Sequence, residues 1–144
     1  MYLVDTNIFL EVMLSRGRKD ECKRFLGLLR DGRASGVVTD FSVHSIMVVL
    51  DSVGRRQALR TFLASLAGYR GLHIHYTTLA DEVRAVDLAE KHHLDIDDAV
   101  QYAVAISTRA QAIVSFDRDF DGLEIPRLEP RDVVERLSRR GAQQ

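Results

Sequence analysis

The sequence predicts an α/β fold: a mainly parallel central sheet layered between helices on both faces. Three observations predict it. Short β-type runs alternate with longer runs of helical period along the whole chain. Such alternation places strands side by side through right-handed helical crossovers. Acidic residues recur just where the runs change character, at Asp5, at Asp95-Ile96-Asp97-Asp98, and at Asp117-Arg118-Asp119 with Asp121. In open α/β sheets, ligands gather at the carboxyl ends of the strands.

The elements follow in order. Tyr2–Val4 is apolar and reads as a strand. Ile8–Leu14 reads as a short helix capped by Thr6 or Asn7. Lys19–Arg30 carries apolar residues at 22, 25, 26, 28 and 29, an amphipathic helix that stops at Asp31-Gly32. Gly36–Val38 is a short buried strand, and Thr39 or Asp40 caps a helix through Leu50. Arg55–Leu66 is the next helix, ending near Gly68. Leu72–His75 alternates apolar and polar, as an edge strand does. Asp81–His92 is helical, and Asp97–Thr108 is a strongly apolar, Ala-rich helix. Ala112–Val114 is a strand. Ile125–Leu128 is a last edge strand, because proline is tolerated there and not in a central strand. Glu129-Pro130 opens the final helix.

The chain has 144 residues, a length that suits one domain spanning 1–144, with a core from about 2 to 135 and a disordered C-terminal tail. No apolar run approaches the roughly 20 residues that span a bilayer. Asp5 and Glu11 interrupt the N-terminal apolar stretch, which is unlike a signal peptide. Cys22, the one cysteine, lies on the apolar face of its helix and reads as an inert buried thiol. These features predict a cytoplasmic protein with no membrane partner. The net charge of -1 neither announces nor excludes a polyanion. Arg16-Gly17-Arg18-Lys19, Arg55-Arg56 with Arg60, and Arg139-Arg140 are the basic clusters that could meet phosphates.

Neither GxxxxGK[ST] nor GxGxxG occurs, which argues against a nucleotide cofactor. The histidines at 73, 75, 92 and 93 lack a third ligand nearby and suit structural or surface roles better than zinc. The aromatic residues fall at core spacings and form no evident stacking platform. Asp5 as a covalent phosphoryl acceptor would resemble the nucleophile of haloacid-dehalogenase-like phosphatases, but that family has a second aspartate two residues on, and the position here is Asn7. The carboxylates remain. Asp5, Asp98 and Asp117 each follow or face the carboxyl end of an expected strand. Brought together they would repel unless a cation held them, and hard divalent ions, Mg²⁺ or Mn²⁺, are the natural partners of such oxygen clusters. Asp95, three residues before Asp98, is expected on the same helical face. Asp97 is expected to point elsewhere.

Three segments carry a family resemblance: Asp5-Thr6-Asn7 after an apolar strand, Asp98-Ala99-Val100 opening an Ala-rich helix, and Ser115-Phe116-Asp117-Arg118-Asp119-Phe120 after a strand. Their order and spacing resemble the signature blocks of the PIN domain, over residues 2 to about 135. The resemblance implies a three-layer α/β/α fold and a metal-dependent ribonuclease. It also implies kinship with the small toxins of VapC-type toxin–antitoxin pairs, an antitoxin partner and a homodimer. It implies that Asp5, Asp98 and Asp117 are catalytic and bind the metal, that Asp119 is an additional acid, and that Asn7 and Ser115 are supporting polar residues. One departure stands out. The family usually places a glutamate on the helix after the second strand, and here the position falls on His44 or Ser45. His44 could ligate the metal, or Asp95 could supply the missing charge. The loss opens an alternative function, a catalytically weak RNA-binding or protein-interaction module.

Overall fold

A computed structural model of the chain describes residues 1–143. Its centre is a five-stranded, wholly parallel sheet of order β3-β2-β1-β4-β5. The strands are β1 (Tyr2–Val4), β2 (Gly36–Thr39), β3 (Leu72–His75), β4 (Ala112–Val114) and β5 (Arg127–Leu128). β1, β2 and β4 are buried along their whole length, which is why they read as unbroken apolar runs. β3 is only partly buried and alternates, as an edge strand should. Pro126 lies just before β5, where its carbonyl accepts from Ile113 N at 2.9 Å and its missing N–H is not needed. β5 is correspondingly shorter than the expected Ile125–Leu128.

Alternate strand residues serve different layers. Tyr2, Val4, Val38, Val114 and Leu128 face one core with α1 (Thr6–Met13), α2 (Lys19–Arg30), α3 (Asp40–Ser52), α4 (Arg56–Leu66) and α7 (Pro130–Ala142). Leu3, Val37 and Ile113 face the other core, against Tyr102, Val104 and Ala105 of α6 (Ile96–Ser107). α5 (Leu79–His92) covers α6 from outside through Ala85 and Ala99. The result is the expected α/β/α layering. The tail expected to be disordered beyond about residue 135 instead continues as α7 to Ala142, and Gln144 lies outside the described residues.

Helix starts also differ by a few residues, for capping reasons. Asp5 itself caps α1, its carboxylate accepting from Thr6 N at 2.8 Å. α5 begins at Leu79 rather than Asp81 because Thr78 and Asp81 close a reciprocal capping box.

The strand order fixes where a site can form. From β1 the chain runs outward through β2 and β3, then returns to the other flank for β4 and β5. The crossovers diverge between β1 and β4, opening a crevice beyond their carboxyl ends. Asp5 and Ser115 are the first residues past those two ends.

The opposite edge of the sheet is drawn together by Gly71. Its N–H donates to Leu29 O at 2.8 Å and its carbonyl accepts from Gly36 N at 2.7 Å. A Cβ there would lie 2.1 Å from Ala34 O and 3.0 Å from Leu29 O, both rigid backbone atoms. Gly71→Ala is therefore expected to lower unfolding free energy by about 2 kcal/mol or more in urea titration, with the midpoint moving and the slope unchanged.

Candidate active site

A cleft of about 210 Å³ opens at the β1/β4 crevice, walled by Asp5, Asn7, Asp97, Asp98, Asp117 and Gln101, with Phe41 and Ser45 from α3. A larger hollow of about 500 Å³, between α1, α2 and α4, is mainly apolar and carries no carboxylate.

Asp5 forms the floor and is buried. Burial of a carboxylate requires hydrogen-bond donors, and four are present. Oδ1 accepts from Thr6 N at 2.8 Å and from Gln101 Nε2 at 3.1 Å. Oδ2 accepts from Ser115 Oγ at 2.6 Å and from Asn7 Nδ2 at 3.1 Å. Burial still raises its pKa above the ordinary value; the bonds from Ser115, Gln101 and Thr6 oppose the rise.

A second tier of polar groups holds the first. Gln101 is 3% exposed. Its Oε1 accepts from Thr39 Oγ1 at 2.9 Å, which settles the amide's orientation, and its Nε2 also donates to Ser42 Oγ at 2.7 Å. Thr6 Oγ1 donates to the same Ser42 oxygen at 2.8 Å. None of Gln101, Thr39, Ser42 or Thr6 stood out in the sequence as a site residue. The available signal was a glutamine three residues past Asp98 in an otherwise apolar helix, on the face Asp98 occupies.

The other acids are differently placed. Carboxylate oxygens of Asp98, Asp117 and Asp119 lie within 4.8 Å of one another. Asp5 is not in that group. Its oxygens accept from the donors just described, so the expected trio divides into a hydrogen-bonded floor and a repelling rim. Asp117 is fixed by its own N–H, which donates to Ser115 Oγ at 2.9 Å, while its Oδ1 caps a short 3-10 turn by accepting from Asp119 N at 2.9 Å. Asp98 is half-buried. Burial first, then the negative charges of Asp117, Asp97, Asp5 and Asp119, push its carboxyl up to about 7.

One expectation about the second acidic run, that Asp97 points elsewhere, is corrected. Asp97, not Asp95, joins Asp98 in walling the cleft. Asp95, exposed at the N-cap of α6, does not wall the cleft, yet it brings a carboxylate oxygen within 4.8 Å of Asp97 and Asp98, as its three-residue spacing from Asp98 leads one to expect. On α3 the polar residue that lines the cleft is Ser45, whose Oγ donates to Phe41 O at 2.9 Å. His44 is exposed, lies outside the cleft wall and is a charge neighbour of Asp40.

The remaining candidates lie elsewhere. His75 Nε2 contacts Asp81 Oδ2 at 2.9 Å, and His92 packs edge-on against Tyr102. Arg18 bonds Glu21 and Glu129 and lies over the Phe116 ring, and Arg56 pairs with Asp51. Among the described residues no lysine or arginine walls the cleft. Phe41, by contrast, is an aromatic side chain 39% exposed on the cleft wall, where sequence spacing suggested no such group.

The donor set suits a hard divalent cation. It is all oxygen, it is crowded with like charge, and Asn7 Oδ1 is a buried acceptor with no hydrogen-bond partner. Asp98 and Asp117, with Asp119, are the residues that could hold the ion, and Asp5 borders them from the floor.

The family model of the PIN domain matches residues 2–125. No curated protein matches the sequence. Solved structures do. A chain of a toxin–antitoxin complex from Klebsiella pneumoniae is 22% identical, with 90% of this chain and 98% of that one covered and a TM-score of 0.67. The Mycobacterium tuberculosis toxin VapC20, described as cleaving the sarcin-ricin loop, is 18% identical, with 90% and 100% covered and a TM-score of 0.74. A chain of VapBC2 from Rickettsia felis, solved bound to promoter DNA, is 18% identical, with 89% and 96% covered and a TM-score of 0.65. At these identities the likeness is one of fold.

The raised Asp98 carboxyl makes a signed prediction for the metal-free protein. Between 3.8 and about 7 the native state holds a proton that the unfolded chain has lost, so stability falls as pH rises through that window and levels off above it. Carboxyl-detected NMR should find Asp98 titrating near neutrality, and Mg²⁺ should drive it into the acid range. Asp98→Asn should stabilise the metal-free protein at pH 8 by about 1 kcal/mol, a value kept small because the half-exposed group is screened.

Proposed function

The chain belongs to the PIN domain family, and on that premise we propose that it is a divalent-metal-dependent endoribonuclease, the toxin of a toxin–antitoxin pair. The observation that carries the reading is the convergence of Asp98, Asp117 and Asp119 above a buried, fully hydrogen-bonded Asp5 at the sheet's switch point. VapC-type and toxin–antitoxin structural neighbours support it.

Mg²⁺ or Mn²⁺, when bound, supplies neutralisation of a scissile phosphodiester and a more acidic water. The chain's own residues do the positioning. Asp98 and Asp117 would hold the ion, with Asp119 beside them. Asp5, immobilised by four donors, presents a fixed negative floor that tolerates a cation and repels an unescorted phosphate. Gln101 and Ser115 keep that floor from turning. Phe41 offers an apolar face beside the acids, the surface a nucleobase next to the cleaved phosphate would stack on. Phosphates farther along an RNA would have to meet arginines outside the cleft, since none lies within it.

The partners in this reading are RNA, an antitoxin protein and a second copy of the chain. Tyr76, Leu79 and Val83, at 72%, 76% and 59% exposure, form an uncovered apolar stripe at the start of α5 that suits the homodimer. No helix among the described residues is long and apolar enough to cross a membrane, and the proposed setting is the cytoplasm.

Cleavage of a structured RNA in Mn²⁺, followed on denaturing gels, tests the function. Asp5→Asn, Asp98→Asn and Asp117→Asn should each lower the rate at least a hundredfold while the fold persists, and a chelator should abolish cleavage. Activity that survives any of these, or survives without divalent metal, would sink the reading.

The second reading, a catalytically weak RNA-binding or interaction module, is favoured by one observation: α3 lines the cleft with Ser45 and with no acid. Ser45→Glu should strengthen Mn²⁺ binding by about tenfold in calorimetry and raise the cleavage rate if the site is a nuclease short of one ligand. Wild-type protein that binds RNA but no Mn²⁺ would establish the module instead.

A further inference from the structure

Arg127 is outside the cleft, on edge strand β5, yet its side chain is only 13% exposed. Its guanidinium reaches both ends of the segment that carries Asp117 and Asp119. Nη1 donates to the backbone carbonyl of Ser115 at 3.1 Å, and Nε donates to Asp121 Oδ1 at 2.7 Å. Glu129 Oε2 accepts from Nη1 at 3.3 Å and holds the fork in place. Ser115 is thereby gripped from two sides. Its carbonyl faces Arg127, while its hydroxyl donates to Asp5 and accepts the N–H of Asp117.

The strand itself does not require this arrangement. Ile113 N–H to Pro126 O at 2.9 Å and Ser115 N–H to Leu128 O at 3.0 Å already set the β4/β5 register. Sequestering a guanidinium is costly unless its donors are used, and here they are used on the two ends of one functional loop.

We propose that Arg127 is a positioning residue for the acidic rim, a brace across residues 115 to 121 that fixes Asp117 through Ser115. A planar fork with divergent donors can span the two ends; a lysine ammonium, a single point of charge, cannot. The bracing stands on geometry alone, and its consequence for the cation rests on the nuclease reading above. Partners one shell out from a metal ligand commonly change affinity by about 10- to 100-fold when removed.

The test compares Arg127→Met and Arg127→Lys with Arg18→Met. Arg18 shares the Glu129 carboxylate and lies 4.2 Å from the centre of the Phe116 ring, but bonds neither Ser115 nor Asp121. Two quantities are read: NMR hydrogen exchange at the Asp117 and Asp119 amides without metal, and Mn²⁺ affinity by calorimetry. Both Arg127 variants should exchange at least tenfold faster at those amides and bind Mn²⁺ about tenfold more weakly, with Arg18→Met within twofold of wild type in both. Unchanged exchange in Arg127→Met, or equal acceleration in Arg18→Met, would overturn the proposal. If Arg127→Met does not fold, Asp121→Asn, a change at an exposed residue, releases one end of the brace and should quicken exchange at Asp119; no change there would be equally fatal. Wild-type protein that binds no Mn²⁺ would remove the nuclease reading, while the exchange comparison still decides the brace.

Discussion

A carboxylate buried at the end of the central strand constrains everything around it. Asp5 terminates β1, the middle of the sheet, with its side chain almost out of water. Such a group is tolerable only if its lone pairs are filled. The four donors come from the first turn of α1, from α6 on the other face of the sheet, and from the residue just past β4. Both helical layers and a neighbouring strand must therefore sit in register for one side chain to be satisfied. Thr39 and Ser42 extend the requirement to β2 and α3 through Gln101. The polar network and the apolar layers select the same arrangement, which is the consistency expected of a sequence that specifies one fold.

Charge is distributed unequally across the cleft, and the inequality is what gives it chemical character. The floor is a carboxylate whose lone pairs are filled by four hydrogen-bond donors. The rim, Asp98 with Asp117 and Asp119, has close oxygens and few donors. Its strain surfaces in Asp98, whose carboxyl is held near neutrality by burial and by its neighbours' charge. Metal-free, the protein gives up stability there. A divalent cation would relieve the same repulsion, so the destabilised state and the metal-binding state are two sides of one electrostatic arrangement. The rim is kept in place by groups outside the cleft, with Ser115 as the link between the inner network and Arg127.

Much of the fold was legible in the chain. Unbroken apolar triplets and quartets marked the central strands, and the alternation in Leu72–His75 marked an edge. Pro126 confined the last strand to the other edge. The acids at strand ends were legible too, because strand-to-helix junctions are visible as changes of period. Side-chain direction at helix starts was not. Asp95 does approach Asp98 as helical spacing implies, but Asp97, which spacing turned elsewhere, is the one that walls the cleft beside it. His44 and Ser45 are adjacent, and only the packing of α3 on the sheet decides which one turns inward.

The sequence by itself determined the order of elements, the parallel sheet and the placing of acids at strand ends, since each follows from local period, composition and capping chemistry. The tertiary structure alone decided which oxygens meet. It joined Gln101 to Asp5 across 96 residues and Ser115 to Asp5 across 110. It separated the satisfied floor from the repelling rim, and it set Arg127 behind the rim. Those outcomes depend on distances of a few ångströms between segments far apart in the chain. Local periodicity carries no information about such distances; close packing of the layers fixes them.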